Sequence, residues 1–283
     1  MGTRKKDSFY ITSMVKYLLM ILFLFSLIPS AFAQGDLLIY PKRLVFEGRK
    51  NIHKLTLANT GKDTAVYNIS FVEYKMTSTG QMKKITEAEE GLNFASSNVR
   101  FFPRKVTLAP NESQIVKVQL RNAKGLADGE YRSHLYFRAA EKKAPLGETA
   151  KTKDSTIAVK LKPIFGISIP CIVRKGVNTT TVSISDIQLI ALENNSYGMQ
   201  FHLNRNGNMS AYGDVTINYI TPTNKVYEVA KMKGVGVYTP GNLRIVKIKL
   251  EEPEAVNFEG GTFNVVFTEN ESKKILTEAN LSL

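Results

Sequence analysis

The sequence predicts an all-β protein built as two β-sandwiches. Three observations carry that reading. Apolar residues alternate with polar ones over short runs, the runs are closed by Asn, Gly, Pro and Asp, and almost nowhere does the spacing suit a helix. A length of 283 residues then leaves room for two cores of ordinary size.

In the first half, strands are expected near Leu37–Phe46, Ile52–Ala58, Ala65–Lys75, Met82–Ile85, Val99–Leu108, Gln114–Leu120 and Tyr131–Arg138. Asn59-Thr-Gly-Lys62, Ser78-Thr-Gly80, Ala109-Pro-Asn111 and Ala127-Asp-Gly129 separate them with residues that tolerate turn geometry. Only Thr86 to Phe94 suits a brief helix. Alternation turns Leu55, Leu57, Tyr67, Ile69, Phe71, Val116, Val118, Leu120, Tyr131, Leu135 and Phe137 inward. Lys117, Gln119, Arg132 and Arg138 then face out, and His134 falls with them as a solvated imidazole. His53 is expected at the start of its strand.

One long strand is expected over Ser155 to Pro170, STIAVKLKPIFGISIP. Ile157, Val159 and Leu161 form an apolar row, with Ala158, Lys160 and Lys162 on the other side. Before it lies the Lys-rich run Glu141 to Asp154, expected as a loop. After it, Ile169-Pro170 and Arg174 to Asn178 read as a hinge into a second domain.

That second part repeats the grammar without repeating the sequence. Strands are expected at Thr181–Ser185, Gln188–Leu192, Met199–Leu203, Gly213–Tyr219, Val226–Lys231, Leu243–Leu250, Thr262–Thr268 and Lys274–Leu281. The clearest turns are Asn204 to Asn208, Thr221 to Asn224 and Glu259 to Gly261. The expected division is therefore a leader over 1–33, a first sandwich over 34–172 and a smaller one over 173–283.

The leader is read from Arg4, Lys5, Lys6 and Lys16 ahead of the apolar run Tyr17 to Ile28, and from Ala31-Phe-Ala33 as a signal-peptidase site. Its cleavage is expected to release the chain into the periplasm with no stable membrane insertion. Four basic residues and Asp7 leave with it, so the net charge falls from +13 to about +10. Such an excess suits an acidic partner, an anionic surface or a terminal carboxylate. Export, and the lack of basic runs interleaved with aromatics, argue against nucleic acid.

Catalytic chemistry finds no support in the residues. His53, His134 and His202 lie on three separate expected strands, with no paired spacing for a metal. Glu87, Glu89 and Glu90 read as a solvated loop, and neither a nucleophile elbow nor a phosphate or dinucleotide loop occurs. Cys171, the single cysteine, excludes an intramolecular disulfide and reads as a buried structural thiol. No enzyme activity, cofactor, metal or small-molecule substrate is expected.

Three blocks in order resemble a known family. Pro41-Lys-Arg-Leu-Val-Phe-Glu-Gly48 is followed by His53 to Gly61. Phe102 to Pro110 is followed by Ser113-Gln-Ile-Val-Lys-Val118, and then comes Glu130-Tyr-Arg-Ser-His-Leu135. Over roughly Leu37 to Pro170 this is similar to periplasmic pilus chaperones of the PapD type, a system known for an Ig-like sandwich and for strand donation to pilins. The resemblance implies two Ig-like sandwiches set as an L or boomerang. It also implies an ATP-independent chaperone that caps pilus or fimbrial subunits with an edge strand and meets an outer-membrane usher. Ile157, Val159 and Leu161 would be the donor row. The family anchors the subunit's terminal carboxylate with an arginine and a lysine. Arg43 matches the arginine's motif. Counting back from Pro170 puts the lysine's position near Phe165, so Lys162 and Lys160 are the substitutes expected. The alternative is an exported Ig-like structural or adhesive envelope protein that never releases what it binds.

Overall fold

A computed structural model describes residues 37–140, 164–193, 196–253 and 257–283 of the chain. Seventeen strands and two single-turn 3-10 helices make up the described secondary structure.

The first sandwich pairs two sheets. One has the order β1 (Leu37–Tyr40), β3 (Ile52–Asn59), β8 (Ser113–Leu120), β6 (Val99–Phe102). The other runs β2 (Leu44–Phe46), β10 (Gly166–Lys175), β9 (Gly129–Ala139), β4 (Ala65–Met76), β5 (Met82–Ile85), with β7 (Lys105–Leu108) also on β4. Leu44, Phe46, Leu55, Leu57, Val116, Val118, Leu135 and Phe137 fill the space between them and are buried. The alternation read from sequence is what puts them there.

Two expected strands split. Leu37–Phe46 breaks after Tyr40, because β1 pairs antiparallel with β3 while β2 crosses to the other sheet and pairs parallel with β10. Val99–Leu108 breaks between β6 and β7, which likewise serve opposite sheets. The helix expected over Thr86 to Phe94 is absent; that stretch is turn and bend, and a 3-10 turn follows at Ala95–Ser97.

In the second sandwich, β11 (Thr181–Ala191), β12 (Tyr197–Asn206) and β15 (Leu243–Lys249) face β14 (Val226–Val237), β13 (Ala211–Ile220), β16 (Thr262–Glu269) and β17 (Ile275–Ser282). Phe201, Val215, Ile217, Tyr219, Phe263, Val265 and Phe267 form its core. Two expected strands merge into β11, with a bulge between Ser185 and Gln188 where Asp186 takes a φ of 52°. Turn residues behave as read: Asn111 and Asn224 adopt φ of 62° and 61°.

No hinge occurs at Ile169-Pro170. β10 runs through both residues and on to Lys175, which still pairs with Gly129, so the strand crosses position 172. Contacts then tie the sandwiches together. Met76 at the end of β4 packs into the second core, and the Ile245 amide donates to Ser78 O at 2.7 Å.

Candidate functional site

The edge of β10 is the first component of the site. Along its whole length β10 pairs antiparallel with β9, but β2 joins its other side only from Cys171, opposite Leu44. From Gly166 to Pro170 that side carries no strand among the described residues. The amide of Ala139 donates to Phe165 O at 3.0 Å, which fixes the alternation. Odd-numbered residues of β10 bond to β9, and the backbone groups of Gly166, Ser168 and Pro170 face the open side. Pro170 is tolerated in mid-strand for this reason: the N–H it lacks points away from β9.

Phe165, Ile167 and Ile169 share one face of this strand. Ile169 is buried in the first core, whereas Ile167 and Phe165 rise to 37% and 57% exposure. The core row of β10 therefore continues past the core as exposed apolar side chains. Across the sheet, the Tyr136 side chain lies over Gly166, where an added Cβ would come within 2.3 Å of the phenolic oxygen. A side chain at this position would have to displace the Tyr136 ring.

At the closed end of the open edge stands Arg43. The parallel register Leu44↔Cys171 puts Pro170 beside it, and Pro170 is opposite His134 on β9. Pro170 is thus the β10 residue level with Arg43. Lys162, Lys160 and the row Ile157, Val159 and Leu161 lie outside the described residues. Arg43 donates from Nη1 to Tyr238 Oη at 3.0 Å, and its guanidinium lies 4.0 Å from the centre of the Tyr212 ring. It also lines a cleft of about 240 Å³ together with Arg174, Ser210, Tyr212 and Asn270.

Two residues expected on the surface are buried instead. Arg132 is 2% exposed and His134 7%. Both face away from the first core as expected, but the second sandwich covers that face. Arg132 Nη2 donates to Thr239 O at 3.2 Å, and its guanidinium lies 4.4 Å from the Tyr238 ring centre. The Tyr74 ring meets His134 edge-on at 5.0 Å. Burial, reinforced by the charges of Arg132 and Arg43, lowers the His134 pKa to about 3, so its imidazole is neutral.

Sequence reasoning also missed Glu130. Its buried carboxylate accepts from Arg174 Nε at 3.1 Å, from the Ser210 amide at 3.0 Å and from the Ser210 hydroxyl, bridging the two sandwiches beside the cleft. A carboxylate one position before the core-facing Tyr131, and so out of phase with the core row, looks exposed until what covers its face is known. His53 does start β3, with Nε2 2.8 Å from Val45 O. Cys171 is buried, and burial pushes its pKa up. Lys75 pairs with Glu89, and no group of His, Cys, Asp and Glu among the described residues is arranged to hold a metal ion.

No family model and no curated protein matches the chain. Solved structures do resemble it. The YadV chaperone is 11% identical over 88% of this chain and 100% of its own, with a TM-score of 0.44. The SafB chaperone, solved in complex with the SafA pilin of Salmonella enterica, is 10% identical over 89% and 99%, at 0.41. The CsuC–CsuE chaperone–tip adhesion subunit complex of Acinetobacter baumannii is 14% identical over 76% and 90%, at 0.38. With TM-scores below 0.5, these likenesses leave the function to the chain's own residues.

Proposed function

We propose that this chain is an exported, periplasmic chaperone that caps pilus or related surface-fibre subunits by lending them an edge strand, without ATP. The observation that carries the reading is the open side of β10, where Gly166 and Ser168 offer backbone groups that no strand among the described residues pairs, beside exposed Phe165 and Ile167. A subunit lacking its last strand exposes matching backbone groups and apolar pockets, which in water lead to aggregation. Ile157, Val159 and Leu161 occupy odd-numbered positions like Phe165 and Ile167 and extend the donor row in this proposal.

The edge also has a stop. Pro170 offers an incoming strand a carbonyl but no N–H, and β2 occupies the line beyond it. A strand laid along Gly166 and Ser168 therefore ends beside Arg43, whose guanidinium suits a carboxylate. Arg43 is the proposed anchor of the subunit's terminal carboxylate, with Lys162 and Lys160 as companions read from sequence. An outer-membrane usher as second partner, and the division into domains over 34–172 and 173–283, belong to the same proposal. Each fully buried apolar side chain is worth roughly 1.5–3 kcal/mol before ordering costs, enough to hold a subunit and to yield it to a competing strand.

Co-expression with a candidate fibre subunit tests this. The expected result is a soluble one-to-one complex that dissociates when the donor peptide of another subunit is added. Leu161→Asp should abolish the complex without unfolding the free protein, and Arg43→Ala should weaken capture at least tenfold, beyond the loss of one surface charge. A complex that the peptide never releases favours a permanent structural or adhesive role; one indifferent to Leu161→Asp means the donor strand is misassigned.

A further inference from the structure

Arg43 uses one cation out of a net excess of +13 in the full chain. Another part of that excess gathers on one face. The sheet of β1, β3, β8 and β6 turns one side to the core of the first sandwich and the other to solvent, and none of these strands contains an Asp or Glu. Alternation would make the solvent side polar. Instead β1 presents Leu38 and Tyr40 there, β3 Ile52, β8 Ile115 and β6 Phe102. Tyr40 and Phe102 are 72% and 76% exposed, and Leu38, Ile52 and Ile115 lie between 45% and 54%. Register sets Tyr40, Thr56 and Ile115 in one row and Lys54, Lys117 and Phe102 in the next. Exposed apolar residues are ordinary when single, but these are neighbours, and a contiguous patch marks a surface that meets a partner.

The lysines identify the partner's chemistry. Lys54 and Lys117 are directly opposite each other. The amides of Asn59 and Leu120 donate straight across the ladder, to Glu112 O and Asn51 O, each at 2.9 Å. Lys54 and Lys117 therefore form one of the non-hydrogen-bonded pairs, whose side chains stand closest, with Cβ atoms about 5 Å apart. Like charges so placed repel, and neither lysine is ion-paired among the described residues. Arg100 adds a further cation in the next row, opposite Gln119. Glu112, one residue before β8, accepts from the Ala109 amide at 2.7 Å. Cations set among apolar side chains, with no acid between them, complement a surface that is anionic and apolar together.

We infer that this face docks on anionic phospholipid bilayers, with Lys54 and Lys117 at the phosphates, Arg100 beside them, and Tyr40, Ile115 and Phe102 in the interfacial layer. A soluble polyanion would satisfy the lysines and leave the apolar side chains in water, whereas a bilayer surface takes both. The inference does not rest on capping. β10 belongs to the other sheet, so docking through this face leaves its edge open.

Vesicle binding tests it. The chain has no tryptophan, so Ile115→Trp places a single reporter on the face. Exported protein is used, with removal of the leader checked by mass spectrometry, because the leader's own basic and apolar residues would bind lipid. At low salt the protein should sediment with vesicles of phosphatidylcholine mixed with phosphatidylglycerol and not with phosphatidylcholine alone. The emission of Ile115→Trp should shift to the blue with the mixed vesicles only, and raised salt should weaken both effects. Each cation near an anionic surface is worth about fivefold in partitioning, so Lys54→Gln combined with Lys117→Gln should lower binding at least tenfold. That double variant should unfold at an equal or higher temperature, since the opposed charges are gone.

Full vesicle binding by the double variant, or no binding by the wild type, overturns the inference. Lysine-dependent sedimentation without an emission shift also overturns it and leaves a simple anion site. A blue shift that grows with protein concentration in the absence of lipid, with a dimer in sedimentation equilibrium, gives the face to a second copy of the chain instead. None of these outcomes touches capping, which is read from the subunit complex.

Discussion

His134 shows how far burial can move one residue's chemistry. Its Nδ1 has no hydrogen-bond partner among the described residues, Tyr74 packs edge-on against it, and the charges of Arg132 and Arg43 act on it. The folded pKa of about 3 lies below the ordinary 6.5, so between those values the unfolded chain binds a proton that the folded chain refuses. Stability attributable to His134 is therefore complete above pH 6.5 and lost as pH falls toward 3. Between pH 7 and 5 the loss comes to about 2 kcal/mol. Urea unfolding at the two pH values should show that drop in the wild type and a markedly flatter response in His134→Gln. Equal slopes in both proteins would mean that the imidazole is solvated after all. The sequence placed His134 correctly on the side of β9 away from the core. What it lacked was any sign that a second layer covers that side.

Among the strands, β10 is where structure and function meet, and its asymmetry is measurable. Gly166 and Ser168 turn their amides to the open side, while Ile167 and Ile169 bond to β9. Hydrogen exchange in the free protein should be fast at Gly166 and Ser168 and slow at Ile167 and Ile169. Binding of a fibre subunit should slow the first pair and leave the second unchanged. Protection of all four in the free protein would mean that the edge is already covered. Part of this was legible beforehand: the alternation of Phe165, Ile167 and Ile169 announces the described strand, while positions 155–163 of the expected strand lie outside the described residues. The end of the strand was not legible. Pro170 looks like a breaker, but it is harmless where its nitrogen faces no ladder, and only the β2 register shows that.

For the molecule as a whole, Glu130 is the tie. It belongs to β9 of the first sandwich, yet two of the three hydrogen bonds of its carboxylate go to Ser210, between β12 and β13 of the second. Arg174, its ion-pair partner, donates to Ser210 O at 2.9 Å, closing a small network across the junction. Breaking a buried pair by removing one partner leaves the other uncompensated, so Glu130→Ala should cost about 3–5 kcal/mol. Because the loss falls at the junction, calorimetry should resolve two unfolding transitions where the wild type shows one. A single transition with unchanged midpoint would show that packing around Met76 holds the sandwiches without it.

By itself the sequence determined the all-β class, the strands, the turn residues and the two apolar cores. All of these follow from alternation and from local backbone preference, which act over a few neighbouring residues. The three blocks around Arg43, Phe102 and Glu130 pointed to a strand-lending role and singled out Arg43. Only the tertiary structure decided that Pro170 stands beside Arg43, that Arg132 and His134 are buried, and that Glu130 joins the halves. Those facts depend on which strands lie side by side and on what covers their outer faces. Pairing between residues up to 195 positions apart, as for Arg43 and Tyr238, leaves no periodic trace in the chain.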